Sequence, residues 1–365
     1  MNIILIILVF GVIIFFHELG HFIVAKINHI TVKEFSMGFG PKLFQFHKKE
    51  TQYTLRLIPL GGYCMMLSED DEENENDENS FEKKSIWTRM AVVLAGPAMN
   101  FVIAFLFSMV IIHFCGSDPA IIGAVYNKDN IEKYQIENAE EYFNGVYPAE
   151  EAGISDGDRV LKIKGSTVKN FRELQIYLQI YGDGSPIDLT LEKEDGTVYD
   201  TTVHPAKTPD GYKIGIMSVG YQLPKNFGEL CKYSAYETRY WVKATFLSLK
   251  LIVTRQVSSD EVSGPVGVAK NMNDTFNEAA KSSVLDLFLN WMNYIVLLSA
   301  NLGVMNLLPI PGLDGGRFIF LLIEAVTRKK VPKDKENIVT LIGFVLVMLL
   351  MVVILFNDIK NVFFH

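Results

Sequence analysis

From Ile3 to Phe16 no side chain carries a charge. The apolar character resumes at Phe22-Ile23-Val24-Ala25 after one polar interruption, His17-Glu18-Leu19-Gly20-His21. A helix needs about 20 such residues to cross the hydrocarbon core of a bilayer. Four segments reach that length: Ile3–Ile27, Met90–Phe114, Val284–Leu308 and Ile338–Phe356. The second and fourth are almost free of ionisable groups. The third carries Asp286, Asn290, Asn293 and Asn301, so it is expected to face the interior of a bundle rather than lipid.

Between these runs the period changes. Tyr53–Ile58 alternates as a strand, Pro59-Leu60-Gly61-Gly62 reads as a turn, and Tyr63–Leu67 returns as a second strand. Residues 68–80 are acidic and asparagine-rich, the composition of a disordered insert. A compact domain is expected over 120–206. Within it Arg159–Ile163 alternates as a strand, Asn170 opens a helix, and Ile187–Glu192 and Val198–Val203 form a hairpin across Asp195-Gly196. Phe227–Gln256 sets Tyr and Trp among lysines and arginines near helical spacing, which fits an interfacial helix or a plain packing helix. The expected order is therefore a first spanning helix (1–27), a loop (28–89), a second helix (90–114), the domain (120–206) and a linker (207–283). A third helix (284–308), a loop (309–337) and a fourth helix (338–356) follow.

Composition agrees with a membrane protein carrying a polar part. The chain has 365 residues, 49% of them hydrophobic, and a net charge of −8. That charge, with no basic cluster among aromatics, argues against nucleic acid as a partner. Cys64, Cys115 and Cys231 have no paired spacing, so neither a disulfide framework nor a cysteine zinc site is expected. No basic stretch precedes the first apolar run and no small-residue cleavage site follows it, so that run reads as a retained span. Lys26, Lys33, Lys42, Lys48 and Lys49 follow span one, Lys83, Lys84 and Arg89 precede span two, and Arg317, Arg328, Lys329, Lys330, Lys333 and Lys335 lie between spans three and four. These loops are expected in the cytoplasm, with both termini outside.

The interruption in the first run carries the chemistry. Two histidines four residues apart share one helix face and can reach one metal ion, while the glutamate between them can deprotonate a water. Three ionisable groups at bilayer depth are costly, which favours a functional reading. A catalytic zinc takes three protein ligands. Asp314, in Asn306-Leu307-Leu308-Pro309-Ile310-Pro311-Gly312-Leu313-Asp314-Gly315-Gly316-Arg317, is the candidate third. Spans one and three cross in the same direction, so His17, His21 and Asp314 arrive at one depth. A turn-forming aspartate is the alternative for Asp314 alone. Asn100, in Gly96-Pro97-Ala98-Met99-Asn100 at the opening of span two, could hold a peptide carbonyl or oxyanion, or serve as helix-packing glue. A non-catalytic scaffold would not need Glu18. A metal-ion transporter would need ionisable residues continuing across the membrane, and Ile338–Phe356 has none.

These motifs together resemble the bacterial site-2 proteases of the regulator-of-sigma-E protease type. Phe16–Phe22 matches their zinc motif, Ala95–Phe101 a segment of their second span, Ser263–Gly267 a segment before their third, and Asn306–Arg317 their aspartate motif. Pro148–Asp158 is similar to a PDZ-domain pattern. The resemblance implies a polytopic α-helical membrane protein with four transmembrane helices, a cytoplasmic membrane-associated β segment and an inserted extracytoplasmic α+β PDZ domain. It implies an intramembrane zinc endopeptidase of the cell membrane, with Zn2+ on His17, His21 and Asp314 near the cytoplasmic face and Glu18 as catalytic residue. Asn100, Gly61 and Gly62 would position substrate. Its partners would be membrane-spanning substrates such as anti-sigma factors or remnant signal peptides, an upstream site-1 protease, and the lipid bilayer.

Overall fold

The computed structural model describes residues 2–67, 77–128, 143, 145–254 and 264–364, so most of the expected acidic insert lies outside the described residues. The helices are α1 (Asn2–Ile27), α2 (Ile86–Cys115), α3 (Pro148–Glu151), α4 (Phe171–Ile180), α5 (Phe227–Val253), α6 (Pro265–Ser282), α7 (Val284–Leu307), α8 (Asp314–Thr327) and α9 (Lys333–Phe364). The strands are β1 (Val32–Lys48), β2 (Thr51–Met66), β3 (Ile122–Val125), β4 (Arg159–Ile163), β5 (Ser166–Thr167), β6 (Ile187–Glu192), β7 (Val198–Val203), β8 (Ala206–Thr208), β9 (Gly211–Lys213) and β10 (Ile216–Ser218). Among the described residues α1, α2, α7 and α9 are long and apolar enough to cross a membrane, as expected of a multi-pass membrane protein. The chain divides into two units, Met1–Ser108 with Trp241–His365, and Met109–Tyr240.

In the first unit α1 and α2 approach most closely at Gly20, where backbone meets backbone. A Cβ on Gly20 would lie 2.3 Å from the Ala95 carbonyl oxygen, so only glycine permits this approach. In lipid, helix contact gains van der Waals energy rather than release of water, and small residues are what allow it. One core joins Val9 and Ile13 of α1, Ile103 of α2, Met272 and Phe276 of α6, and Ile295 of α7. A second, at the other end of α1, joins Ala25, Ile30, Val32, Phe81, Met90, Val92, Val93 and Leu321. Pro97 does not open α2, as its sequence context suggested, but sits inside it.

Helix α6 lies where the sequence suggested only a linker. Gly264 caps it in extended conformation and Pro265 takes the first position, where a missing N–H costs nothing. The N–H groups of Gly264, Val266 and Gly267 donate to the buried Asp358 carboxylate of α9 at 2.9, 2.6 and 2.8 Å. An anion at a helix N-terminus is favourable, and here it fastens α9 to α6. Two polar residues of α7 bond to other helices: Asn301 Oδ1 accepts from Thr245 Oγ1, and Trp291 donates to the Leu5 carbonyl of α1.

Strands β1 and β2 form one antiparallel sheet in which each strand pairs twice. Val32–Met37 pairs with Gly62–Met66 on one side and, from Glu34, with Gln52–Leu55 on the other, while Thr51–Arg56 also pairs with Lys42–Lys48. β1 was not expected from the sequence, and the expected turn at Pro59–Gly62 lies within β2. Gly61 has φ +107, and a Cβ there would strike the Phe39 ring.

The second unit holds a sheet in the order β5-β4-β6-β7, a β3–β10 pair and the β8–β9 hairpin. β4, β6 and β7 fall where alternation placed them. The β3–β10 pairing carries the domain's strands past Ala206, its expected end. Asn170 caps α4 by accepting the Glu173 N–H at 2.8 Å. The first half of α5 belongs to this unit. Arg172 pairs with Glu237, and Arg239 with Glu173, each at 2.6 Å, and Glu173 is only 3% exposed. These crossed pairs favour the packing reading of this stretch.

Candidate metal centre

His17 and His21, one turn apart on α1, are both 8% exposed. Asp314 is the first residue of α8 and is delivered by the turn from Leu308 to Leu313. A Cβ on Gly315 would lie 2.2 Å from the Leu308 carbonyl oxygen, and one on Gly316 2.4 Å from that of Ile310. The two glycines therefore let the chain double back tightly before the helix starts. Gly312, at φ +96, supplies a left-handed step.

The three donor atoms form a near-equilateral triangle. His17 Nε2 and His21 Nε2 are 3.3 Å apart, and Asp314 Oδ2 lies 3.2 Å from the first and 3.5 Å from the second. Atoms bound tetrahedrally at about 2.0–2.1 Å from one zinc stand about 3.3–3.4 Å from each other. Two imidazoles and a carboxylate are also a donor set that zinc accepts, so the residues fit the ion on both counts. Burial works against ionisation of Asp314, yet hydrogen bonds from His17 and His21, with their charge, hold its carboxyl well below the usual carboxylate range.

Helix α2 forms the back wall. Gly96 faces both rings: a Cβ there would lie 2.2 Å from His21 Nε2 and 2.7 Å from His17 Cε1. One turn before it, the Val92 carbonyl lies 2.8 Å from His21 Nδ1. One turn after it, Asn100, 0% exposed, places its amide 3.2 Å from His17 Nδ1. Asn100 thus lies against the His17 ring. Asn306 Nδ2 lies 3.4 Å from His17 Nε2. In the sequence Asn306 stands out only as the first residue of its motif, and nothing marks Val92, whose contact is made by its backbone carbonyl.

Glu18 faces the sheet. Gly62 lies against it, with the Glu18 Cγ 3.2 Å from where a Cβ would be. The Cys64 backbone N–H bonds to the Glu18 carboxylate. Gly62 and Cys64 pair with Met37 and Phe35 on one side. Among the described residues, no strand pairs with the other edge of Gly62–Met66. The structure therefore brings together His17, Glu18, His21, Asp314, Asn100 and Gly62. Gly61 is set by its contact with Phe39 instead.

Two buried histidines and a partly buried aspartate that could hold one metal ion, with a glutamate beside them and four helices apolar enough to cross a membrane, fit the class of membrane metal-dependent hydrolases. Comparison with known proteins narrows this class. The chain belongs to peptidase family M50, the site-2 protease family, whose model matches residues 5–350. It is similar to a provisionally named zinc metalloprotease of Clostridium acetobutylicum, at 38% identity over 360 residues, covering 98% of this chain and 97% of that relative. It is similar to the zinc metalloprotease RasP of Geobacillus kaustophilus, at 32% identity over 440 residues, with 99% and 98% covered. It is also similar to the regulator of sigma-W protease RasP of Bacillus subtilis, at 29% identity over 438 residues, with 98% of each covered. The chain is a zinc metalloprotease of the membrane.

Proposed function

We propose that this protease cuts peptide bonds inside the membrane-spanning segment of single-span proteins that an upstream site-1 protease has already shortened. The observation that carries the proposal is the edge of Gly62–Met66 beside Glu18, with which no strand pairs among the described residues. A peptide bond in a helix is shielded by its own hydrogen bonds, whereas a segment added as a strand to a free edge offers its carbonyls sideways. Gly62 lets that edge lie close against α1 and Glu18. His17, His21 and Asp314 would hold a zinc ion, which when bound would supply polarisation of the scissile carbonyl and acidification of water. Glu18 takes a proton from the attacking water and passes it to the leaving amine nitrogen as the C–N bond breaks.

One relative is named for regulating sigma-W, so anti-sigma factors are the favoured substrate class, with remnant signal peptides the second. The second unit is read as a PDZ domain. A cavity of about 750 Å3 runs between α4 and the β8–β10 region, lined by Phe171, Leu178, Ile187, Tyr212, Ile214 and Ile216. It suits either an extended peptide or a filter against substrates with bulky outer domains. The lysine and arginine pattern supports a cell-membrane orientation with both termini outside and the metal centre near the cytoplasmic face.

The test uses the full chain in detergent and a tagged single-span substrate without its outer domain. The native protein should cut it within the apolar segment, located by mass spectrometry of the products. Glu18→Gln should bind zinc and cut at least about 100-fold more slowly. Cleavage outside the apolar segment, or equal cleavage by Glu18→Gln, would overturn the proposal.

A further inference from the structure

An imidazole that gives its Nε2 lone pair to a metal carries its proton on Nδ1, and that proton needs an acceptor. His21 has one: its Nδ1 lies 2.8 Å from the Val92 carbonyl. The same demand applies to His17. The group that meets its Nδ1 is the side-chain amide of Asn100, 3.2 Å away and fully buried. An amide offers an acceptor and a donor that exchange places on a 180° turn. With Nδ2 toward His17, Oδ1 has no hydrogen-bond partner. With Oδ1 toward His17, Nδ2 takes the unpartnered place. The amide is therefore indifferent, and the imidazole decides: a ligating His17 requires Oδ1.

We propose that Asn100 is a positioning residue, whose Oδ1 accepts the Nδ1 proton of His17 and so holds Nε2 in the tautomer and direction that binds zinc. Val92, Gly96 and Asn100 stand at successive turns of α2. They form one stripe that orients His21, admits both rings and orients His17. This inference rests on the reading of His17, His21 and Asp314 as the ligands. It departs from a role for Asn100 at the substrate, where the amide would have to donate to an oxygen.

The two roles make opposite demands on Asn100→Asp, which can accept a hydrogen bond but, ionised, cannot donate one. Zinc affinity of the purified full chain is measured by competition with a chromophoric chelator. The visible spectrum of the Co2+-substituted protein reports the coordination, and cleavage is followed separately. By the size of such outer-shell effects, Asn100→Leu should weaken zinc binding about 10- to 100-fold and perturb the Co2+ spectrum, while Asn100→Asp should stay within about threefold of native. Asn100→Asp should also still cleave.

Native zinc affinity in Asn100→Leu overturns the proposal. If Asn100→Asp also binds zinc normally but fails to cleave, donation to substrate is the role. Equal loss of zinc in both variants also overturns it, in favour of packing. A parallel His21→Ala variant separates the layers. Unchanged zinc affinity there would refute the ligand assignment itself. Its loss, combined with weakened Asn100→Leu and near-native Asn100→Asp, supports the positioning role.

Discussion

A single methyl group at Gly96 is the sharpest perturbation this centre offers. The Cβ of Gly96→Ala would lie 2.2 Å from His21 Nε2, 2.6 Å from His21 Cε1 and 2.7 Å from His17 Cε1. Comfortable contact between such atoms is about 3.5–4.0 Å, so the rings must retreat by roughly 1 Å or more. Metal sites tolerate ligand displacements of only about 0.2 Å. The other escape is for α2 to move off α1. That strains the Val92–His21 hydrogen bond and loosens the contacts of Val92 and Val93, with overpacking costing about 1–3 kcal/mol. Either route spoils the triangle without touching a charge or a hydrogen-bonding side chain. The expected result is a chain that elutes as a native-like species with unchanged helix content, retains little zinc by mass spectrometry after gel filtration, and does not cleave. Ala98→Ser, on the exposed face of the same turn, should behave as native. Stoichiometric zinc and native cleavage in Gly96→Ala would show that the two rings do not lean on α2 as described.

Asp358→Ala removes the acceptor of three backbone N–H groups and should lower stability by about 3 kcal/mol or more, read as a lower thermal unfolding midpoint in detergent; an unchanged midpoint refutes the clasp. Burial, reinforced by the charge of Glu18, pushes the Cys64 thiol up to about 12. At pH 8 a maleimide should therefore label the exposed Cys115 in the native protein and reach Cys64 only after unfolding. Equal native labelling of both would contradict that burial. Glu173→Gln should weaken its link to Arg239 and increase proteolysis near the start of α5, and a native digestion pattern would count against the crossed ion pairs.

The candidate ligands that the structure groups were legible because an uncharged run makes any ionisable residue conspicuous, and because Asp314 sits among prolines and glycines at the matching end of another such run. Strands β4, β6 and β7 were legible from alternation. β1 was not: Gly38, Gly40 and Pro41 break its pattern, and Phe39, Leu43, Phe44 and Phe46 are exposed where alternation would ask for polar residues. Helix α6 hid behind its polarity, although the buried Met272 and Phe276 keep helical spacing after a Gly-Pro start. Helix α8 was masked by the glycines at its own beginning. The support behind the ligands was the least legible part. A backbone carbonyl such as that of Val92 leaves no mark in a sequence. Gly96 matters only through the two rings it faces, and those rings come from another helix.

If substrate adds as a strand to the edge at Gly62–Met66, as proposed, selectivity follows from how that edge holds it. Main-chain pairing takes no account of side chains, so an edge of this kind gives little information about the sequence laid along it. Discrimination then falls on how readily a spanning segment gives up its own helix. In lipid each backbone group left unpaired costs several kcal/mol, so unwinding is tolerable only over the few residues the edge can partner. Segments already weakened by glycine, proline or β-branched residues at that depth would be the easiest to extend. On this reading the recognition element is a local shortage of helical stability in the substrate, and a cleavage motif would appear as a statistical preference for helix-weakening residues rather than as a consensus of particular side chains.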